Sequence, residues 1–288
     1  MNQLNLFIEL TRLKKPIGYM LLFWPCVWGL TLAYDFSKDL NDYFFFLTLF
    51  FSGALLMRSA GCIINDISDR KFDKQVERTK TRPIASGEIS VKLGFFYAST
   101  LCLLALLVLL NFNNLTIIIA LGSMPLAFTY PLMKRYTYWP QFFLGITFNY
   151  GLILGWVSIK ESLGIVPFIL YFGAIFWTLG YDTIYGYQDI KDDEIIGLKS
   201  TSIKFKNNPY FFLSICYLIL FLCITLVGAL MRFNFIYFIF LIIPLSHLLF
   251  YQIRRLDIDD PTNCLKIFKS NNFFGLIILV NLLIGKLY

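Results

Sequence analysis

The amino-acid sequence predicts an all-α polytopic membrane protein, a bundle of about nine membrane-spanning helices. Of the 288 residues, 58% are hydrophobic and only 15% are charged, whereas soluble domains carry about 25% charged residues. The mean hydropathy is +0.67. Apolar runs of about 20 residues, the length that crosses a bilayer as a helix, recur along the chain.

The apolar runs place nine predicted spans along the sequence. A short amphipathic helix precedes them, and its apolar residues Leu4, Phe7 and Ile8 are expected to lie on the membrane surface. The spans are predicted at about residues 16–33, 43–64, 93–110, 115–132, 140–158, 163–185, 210–230, 234–251 and 271–286.

Lysine and arginine are distributed unevenly between the two ends of this predicted bundle. The N-terminus and every second loop after it hold 20 of the 25 basic residues, and Arg58 lies within the second span. By the positive-inside rule, the basic side faces the cytoplasm, or the matrix in a mitochondrion. The two acid motifs described below are therefore expected on that side, and the C-terminus on the other.

The composition disfavours several classes of function. The net charge is +7, but the basic residues are spread over short interhelical loops, which indicates membrane topology rather than nucleic-acid binding. The six cysteines form no Cys-x-x-Cys pair, so neither a disulfide framework nor a zinc site is expected. The single histidine, His247, disfavours a haem or histidine-rich metal site.

The most informative stretch follows the second span and reads NDISDRKFDKQVERTKTRP, residues 65–83. If this stretch stays helical, Asn65, Asp69 and Asp73 recur every four residues and share one face. Carboxylates at that spacing repel one another, so a cation is expected among them. Oxygen ligands without histidine or cysteine suit Mg²⁺ or Ca²⁺. The alternative is an ordinary solvated loop between membrane helices, where mixed charge is common.

A second acid motif repeats this pattern in the other half of the chain. Asp189 and Asp193 also lie four residues apart after an apolar run. The intervals from Asp69 to Asp189 and from Asp73 to Asp193 are both 120 residues. Matching acid clusters in two hydrophobic halves suggest an internal duplication with one shared site.

Basic residues accompany both motifs, and this combination indicates a diphosphate, in which a metal ion bridges two oxygens and basic groups bind the others. Aromatic side chains make up 18% of the sequence. Most are expected to face lipid, but some could stabilise a cation inside an apolar chamber. These features favour ionisation of an allylic prenyl diphosphate. An ion or phosphate transporter is the alternative of a different class, although the acids lie at span ends rather than in mid-membrane.

Four segments of the chain resemble the UbiA family of intramembrane prenyltransferases. They read RLKKPIGYMLLFWP, SAGCIINDISDRKFDKQVERTKTRPIASGEIS, TYPLMKRYTYWPQ and GYDTIYGYQDIKDDEIIGLKST. The resemblance covers nearly the whole chain and implies a single domain, residues 1–288, with acid motifs at 65–73 and 182–193. It also implies a central cavity with a cytoplasmic cap formed by the two acid-bearing loops, Mg²⁺ as cofactor, and a bacterial or mitochondrial inner membrane.

The resemblance also implies roles for individual residues. The metal ligands that it implies are Asn65, Asp69, Asp73, Asp189 and Asp193. The catalytic residues are the four aspartates of that set and Arg135. The residues expected to bind substrate are Asn65, Asp66, Arg78, Lys80, Arg82, Lys134, Lys191, Asp182, Arg12 and Lys15. Within this set, Arg12 and Lys15 are expected at the carboxylate of an aromatic acid. For any single basic residue, a lipid headgroup contact is the alternative.

The segment YDTIYGYQDIKDD is typical of the family branch that acts on 4-hydroxybenzoate. The resemblance therefore implies transfer of a polyprenyl group from polyprenyl diphosphate to carbon 3 of 4-hydroxybenzoate, a step of ubiquinone biosynthesis. A sister enzyme acting on another acceptor, such as dihydroxynaphthoate, is the alternative. Lys14 and Tyr187 depart from the family pattern and concern the acceptor pocket. Neither a nucleic-acid partner nor an obligate protein partner is expected.

Overall fold

The computed structural model describes residues 2–287, and this part of the chain is helices and connecting turns, with no strand. The α-helices are α1 Gln3–Thr11, α2 Ile17–Ala33, α3 Leu40–Asp73, α4 Pro83–Ser86, α5 Val91–Leu109, α6 Asn114–Gly122, α7 Met124–Thr129, α8 Pro140–Phe148, α9 Tyr150–Lys160, α10 Ile165–Gly186, α11 Ile190–Ile195, α12 Thr201–Lys204, α13 Pro209–Leu230, α14 Phe235–Phe240, α15 Ile242–Ser246 and α16 Pro261–Leu287. Two 3₁₀ segments, Tyr130–Arg135 and Tyr187–Asp189, and a π-helical segment, His247–Ile253, continue neighbouring helices.

The predicted all-α membrane bundle is confirmed. Within residues 2–287, eight continuous or composite helices are long and apolar enough to cross a membrane, and α2 is a shorter ninth of 17 residues. Two bounds differ from the prediction. α3 runs for 34 residues, so the second span continues through the first acid motif to Asp73. α16 begins at Pro261, well before the predicted ninth span, because its polar first turns hid it from a hydropathy reading.

Two of the spans are interrupted for local reasons. In the fourth span, Ser123 separates α6, which ends at Gly122, from α7, which starts at Met124, because Pro125 cannot donate a helical hydrogen bond. In the fifth span, Asn149 separates α8 from α9. Its fully buried amide nitrogen donates to Ala174 O at 3.0 Å and to Thr178 Oγ1 at 2.7 Å, which ties this break to α10.

The N-terminal helix is present as predicted, but its buried face is a different one. Leu6 and Leu10 are 4% and 0% exposed and belong to the core formed with α3 and α5, whereas Leu4 is 62% exposed. The exposed Leu4 is free to face the membrane surface as expected, but the packing of Leu6 and Leu10 against the protein is not part of the prediction. α1 packs on the protein because the end of α3 offers it an apolar surface that the local sequence pattern cannot reveal.

The last helix joins the two halves of the bundle through paired asparagines. Trp24 Nε1 of α2 donates to Asn272 Oδ1 at 2.9 Å, and Trp177 Nε1 of α10 donates to Asn271 Oδ1 at 2.8 Å. α2 also packs tightly on α9, since a Cβ at Gly155 would lie 2.2 Å from Cys26 O. Together these helices enclose a cavity at the end of the bundle where α3 finishes.

Candidate active site

Both acid motifs meet at a single cavity of about 890 Å³. Its wall includes residues of the first basic segment, of α3 and the loop after it, and of the second motif. The predicted site residues that line it are Arg12, Lys15, Asn65, Asp66, Arg78, Arg82, Lys134, Asp182, Asp189 and Asp193. Residues that are far apart in sequence are thus brought to one surface, as the shared-site hypothesis requires.

The first motif is part of a continuous helix, so the condition under which Asn65, Asp69 and Asp73 share one face is met. Asp66, Asp69 and Asp73 are buried, with 2%, 1% and 6% of their surface exposed. Asn65 and Asp66 line the cavity directly. Asp69 and Asp73 do not line it themselves, but the basic side chains paired with them do. A helix that ended with the apolar run would have left all four residues in a loop.

Every carboxylate of the first motif is paired with a basic side chain. Asp66 accepts from Arg12 Nη2 at 2.6 Å and from Arg82 Nη1 at 3.1 Å. Arg82 Nη1 also donates to Asp73 Oδ2 at 2.9 Å, and Lys134 Nζ donates to Asp69 Oδ2 at 2.6 Å. Charges removed from water this far need such partners. The bases are 21–26% exposed, so each carboxylate connects through its partner to the cavity.

The second motif is built differently. Asp189 ends a 3₁₀ turn, and Asp193 lies in the short helix α11. Arg78, from the loop after the first motif, donates from Nε to Asp189 Oδ1 at 2.6 Å and also pairs with Oδ2. Asp193 lines the cavity without an ion pair to any described residue. One arginine thus connects the two acid-bearing segments.

Arg78 is held on a second side by Tyr185. Its Nη1 donates to Tyr185 Oη at 3.1 Å, and its guanidinium carbon lies 5.5 Å from the centre of that ring. Burial, the largest single influence, would lower the pKa of Arg78, but its hydrogen bonds to Asp189 and Tyr185 and the negative charge of Asp189 together outweigh burial and raise that pKa above its ordinary value. Arg78 therefore stays charged at the junction of the two motifs.

Besides Asp69 and Asp73, three predicted residues lie away from the cavity wall. Arg135 Nη2 donates to Ser68 O at 2.7 Å, and its guanidinium carbon is 5.2 Å from the Phe72 ring centre. Its Nη2 also lies 3.6 Å from Asp69 Oδ1, so Arg135 pairs with the first motif from behind α3 without forming part of the cavity wall. Lys80 pairs with Glu77 at 2.6 Å on the surface, and Lys191 is exposed. The roles predicted for these three residues stay predictions.

Sequence reasoning missed a role for Arg58. This half-buried arginine of α3 lines the inner part of the cavity together with Asp182 and Tyr130. Its guanidinium carbon lies 5.4 Å from the Phe148 ring centre, and its Nε has no hydrogen-bond partner among residues 2–287. A Cβ at Gly18 would come within 2.8 Å of that Nε, so glycine there leaves room for the guanidinium. A signal was available, since a basic residue inside an apolar span is costly and usually functional.

An apolar groove of about 230 Å³ continues from the cavity. The two share Arg58, Tyr130 and Phe148. The groove runs between α3 and α5 on one side and α6, α7 and α9 on the other. Leu106 and Leu121 on its rim are 36% and 48% exposed, so the groove opens sideways where lipid would surround the bundle.

The side chains at the cavity fit a hard divalent cation. Their ligating atoms are carboxylate and amide oxygens, which Mg²⁺ prefers. Asp69 Oδ1 is buried and accepts no hydrogen bond in the described chain, with Arg135 Nη2 3.6 Å away, and Asn65 and Asp193 face the cavity. The acids of residues 2–287 do not gather into a group of three or more around one point. Arginine and lysine hold most of them apart, so metal ligation requires these carboxylates to exchange partners.

A ring of membrane helices with acid motifs, basic side chains and an apolar groove around one cavity is the architecture of an intramembrane prenyltransferase. The chain belongs to the UbiA prenyltransferase family, whose sequence profile matches residues 22–278. The family predicted from the sequence is therefore confirmed, and the transporter alternative is set aside.

The chain is similar to curated enzymes over nearly its whole length. It is 46% identical over 282 residues to the mitochondrial 4-hydroxybenzoate polyprenyltransferase of Bos taurus. This alignment covers 98% of this chain and 75% of the relative. It is 42% identical to 4-hydroxybenzoate geranyltransferase 2 of Lithospermum erythrorhizon, covering 98% of this chain and 91% of that one. The fold is similar to that of a UbiA homologue from Archaeoglobus fulgidus bound to DMAPP and Mg²⁺, with a TM-score of 0.71. The two sequences are 18% identical, and the superposition covers 97% of this chain and 98% of the homologue.

Proposed function

We propose that the protein transfers a polyprenyl group from polyprenyl diphosphate to carbon 3 of 4-hydroxybenzoate, in ubiquinone biosynthesis and with Mg²⁺ as cofactor. The observation that carries this proposal is the convergence of both acid motifs and their basic partners on a cavity that continues into an apolar groove. Relatives named for 4-hydroxybenzoate, at 42% and 46% identity, support the choice of acceptor. The acid-bearing end would face the cytoplasm or the mitochondrial matrix.

The polar end of the cavity would bind the diphosphate. Arg12, Arg78, Arg82 and Lys134 line it and present charged donors, and bidentate arginine contacts suit phosphate oxygens. The residues that would hold Mg²⁺ are Asn65, Asp69, Asp73, Asp189 and Asp193. When bound, the ion supplies neutralising charge for the departing diphosphate. An aspartate that binds the metal in place of its arginine partner would leave that arginine free to bind a phosphate oxygen.

The prenyl tail would lie in the groove. Its walls are almost entirely apolar, and it meets the cavity at Tyr130 and Phe148, so the reactive carbon would sit where the two spaces join. There the bond between carbon 1 and the diphosphate oxygen breaks. Tyr185 and Phe268 also line the cavity, with ring centres 4.5 Å apart. Such aromatic faces stabilise an allylic cation and exclude water from it.

The acceptor would occupy the inner part of the cavity. Its carboxylate needs a cation that is not already neutralised, and Arg58 meets this condition because no carboxylate of the described residues forms an ion pair with it. Arg12 already pairs with Asp66. Lys15 forms no ion pair with a described residue either, but it is exposed to water on the cavity wall, whereas Arg58 is half-buried, and water screens a charge pair at an exposed side chain. Arg58 is therefore a better candidate than either. The ring carbon beside the hydroxyl then bonds to prenyl carbon 1, and that ring carbon loses its proton.

The test is product formation in membranes carrying matched aspartate variants. Asp69→Asn and Asp189→Asn each remove one oxygen ligand, and we expect activity to fall by about a hundredfold or more. Asp192→Asn is the control, since Asp192 neighbours Asp193 but is absent from the cavity wall. Mass spectrometry should identify prenylated 4-hydroxybenzoate in the wild type, and EDTA should abolish it.

The same product assay tests the acceptor, and a separate experiment in a host cell tests the pathway. 4-Hydroxybenzoate and dihydroxynaphthoate are offered separately with one labelled prenyl diphosphate. Product from dihydroxynaphthoate alone would contradict the proposed acceptor, and full activity in both aspartate variants would contradict the site. Restored ubiquinone in a host that lacks its own 4-hydroxybenzoate prenyltransferase would support the pathway assignment.

A further inference from the structure

The apolar groove ends at two phenylalanines. Phe50 of α3 and Phe112, from the turn between α5 and α6, both line it, and their ring centres are 4.8 Å apart. Phe46 packs against Phe112 with a centre-to-centre distance of 5.7 Å. Phe50 lies eight residues before Arg58 on the same helix. At 1.5 Å per residue, the phenylalanine pair is thus about 12 Å along α3 from the junction with the cavity.

The turn that carries Phe112 is fixed to the far wall of the groove. Asn113 Nδ2 donates to Val157 O at 3.0 Å and to Ser158 O at 3.2 Å, both near the end of α9. Asn113 Oδ1 accepts from Thr116 N at 2.9 Å, so the same side chain also caps α6. Phe112 is therefore held between α3 and α9 by a rigid turn rather than left on a mobile loop.

We propose that Phe112 is a specificity-determining residue that ends the tail groove and limits how many isoprene units of the donor the protein holds. This inference rests on the proposed function. The occupant is the donor tail, because the groove is apolar and continuous with the cavity that would bind the diphosphate. A tail longer than the groove must turn at Phe112 and leave through the open rim at Leu106 and Leu121.

The inference is tested with a series of donors of increasing length. Dimethylallyl, geranyl, farnesyl and geranylgeranyl diphosphate are each assayed with 4-hydroxybenzoate. In the wild type, we expect the apparent KM to fall with length and then to level off at the donor that fills the groove. Phe112→Ala should move this levelling to a longer donor, and Phe112→Trp should move it to a shorter one. For the donor length at which the levelling moves, the apparent KM should differ from that of the wild type by about tenfold. Hydrophobic pockets commonly discriminate by this factor between ligands of slightly different length.

The opposite directions of the two variants separate specificity from damage to the fold. Leu107→Ala is the matched control, since Leu107 lies nearby on α5, is 61% exposed and does not line the groove. The inference is overturned if the levelling stays at the same donor in both variants, or if both lose activity equally with every donor. A wild type that prenylates 4-hydroxybenzoate with none of the donors, longer polyprenyl diphosphates included, would instead contradict the proposed function.

Discussion

The two acid motifs have the same four-residue spacing but differ in support and burial. The first lies on the last turns of a 34-residue helix, and its three aspartates are at most 6% exposed. The second lies on a 3₁₀ turn and a six-residue helix, and the Asp189 side chain is 15% exposed. The first is thus part of a long core helix, whereas the second lies on a short segment that is anchored in the core by Tyr187 and joined to the loop after the first motif by Arg78.

The difference shows how one site can be both rigid and adjustable. Aspartates fixed on a long helix keep their positions whether or not a ligand is bound, which is the preorganisation that charged transition states need. The Asp189 side chain, which is paired with one exposed arginine, can shift when that arginine changes partner. We therefore expect the first motif to govern stability together with activity, and the second to govern activity more selectively.

The largest effect predicted by this comparison is on stability. Asp66→Asn removes the carboxylate that accepts from both Arg12 and Arg82, and Asp66 is 2% exposed. Breaking such a buried pair costs about 3–5 kcal/mol. We expect the lower end, because both arginines keep 21% of their side-chain surface exposed. Asp189→Asn breaks a more exposed pair and should cost about 1 kcal/mol or less.

The two variants are compared by thermal unfolding in detergent, alongside the activity of each. Asp66→Asn should lower the unfolding midpoint clearly more than Asp189→Asn, while both lose prenyl transfer. Equal shifts of the unfolding midpoint would show that the two motifs contribute equally to stability, and would contradict the difference inferred between them.

A smaller effect is predicted for metal binding measured without any substrate. Arg82 neutralises both Asp66 and Asp73. Arg82→Gln should therefore tighten Mn²⁺ binding by about tenfold, within the range usual for coupling between sites, and should weaken binding of pyrophosphate. Arg78→Gln releases only Asp189 and should act in the same directions but less strongly.

Titration calorimetry or Mn²⁺ electron paramagnetic resonance measures both affinities on the purified protein. Arg70→Gln is the control, because Arg70 is exposed on α3 and pairs with no acid in the described chain. Weaker Mn²⁺ binding in Arg82→Gln would mean that the arginine organises the carboxylates for the metal rather than competing with it.

The sequence predicted the first motif better than the second for a physical reason. The spacing of Asn65, Asp69 and Asp73 puts them on one face if the segment is helical, and this local condition is met because α3 extends to Asp73, beyond the predicted end of the span. The equal intervals to Asp189 and Asp193 predicted a shared site. The contact of Arg78 with Asp189 spans 111 residues and depends on tertiary packing. A run of basic residues cannot show which of them crosses the cavity.

The features that were missed share this dependence on packing. Leu6 and Leu10 are buried because α1 packs against the end of α3, which local periodicity does not encode. Arg58 was noticed only as a charge within a span, yet the fold places it where the cavity meets the groove. Position in space, rather than residue type, distinguishes it from a topology signal.

The smallest predicted effect distinguishes the arginine that joins the motifs from a neighbouring lysine. Lys80 pairs with Glu77 at 2.6 Å on the surface, where the two side chains are 48% and 81% exposed. Pairs of this kind contribute about 0–1 kcal/mol. Lys80→Gln should therefore leave the unfolding midpoint and the apparent KM for the prenyl diphosphate nearly unchanged, whereas Arg78→Gln raises that KM. If Lys80→Gln raised the KM as much as Arg78→Gln does, the diphosphate would extend beyond the cavity to the outer loop, and the second motif would be more open during catalysis than in this structure.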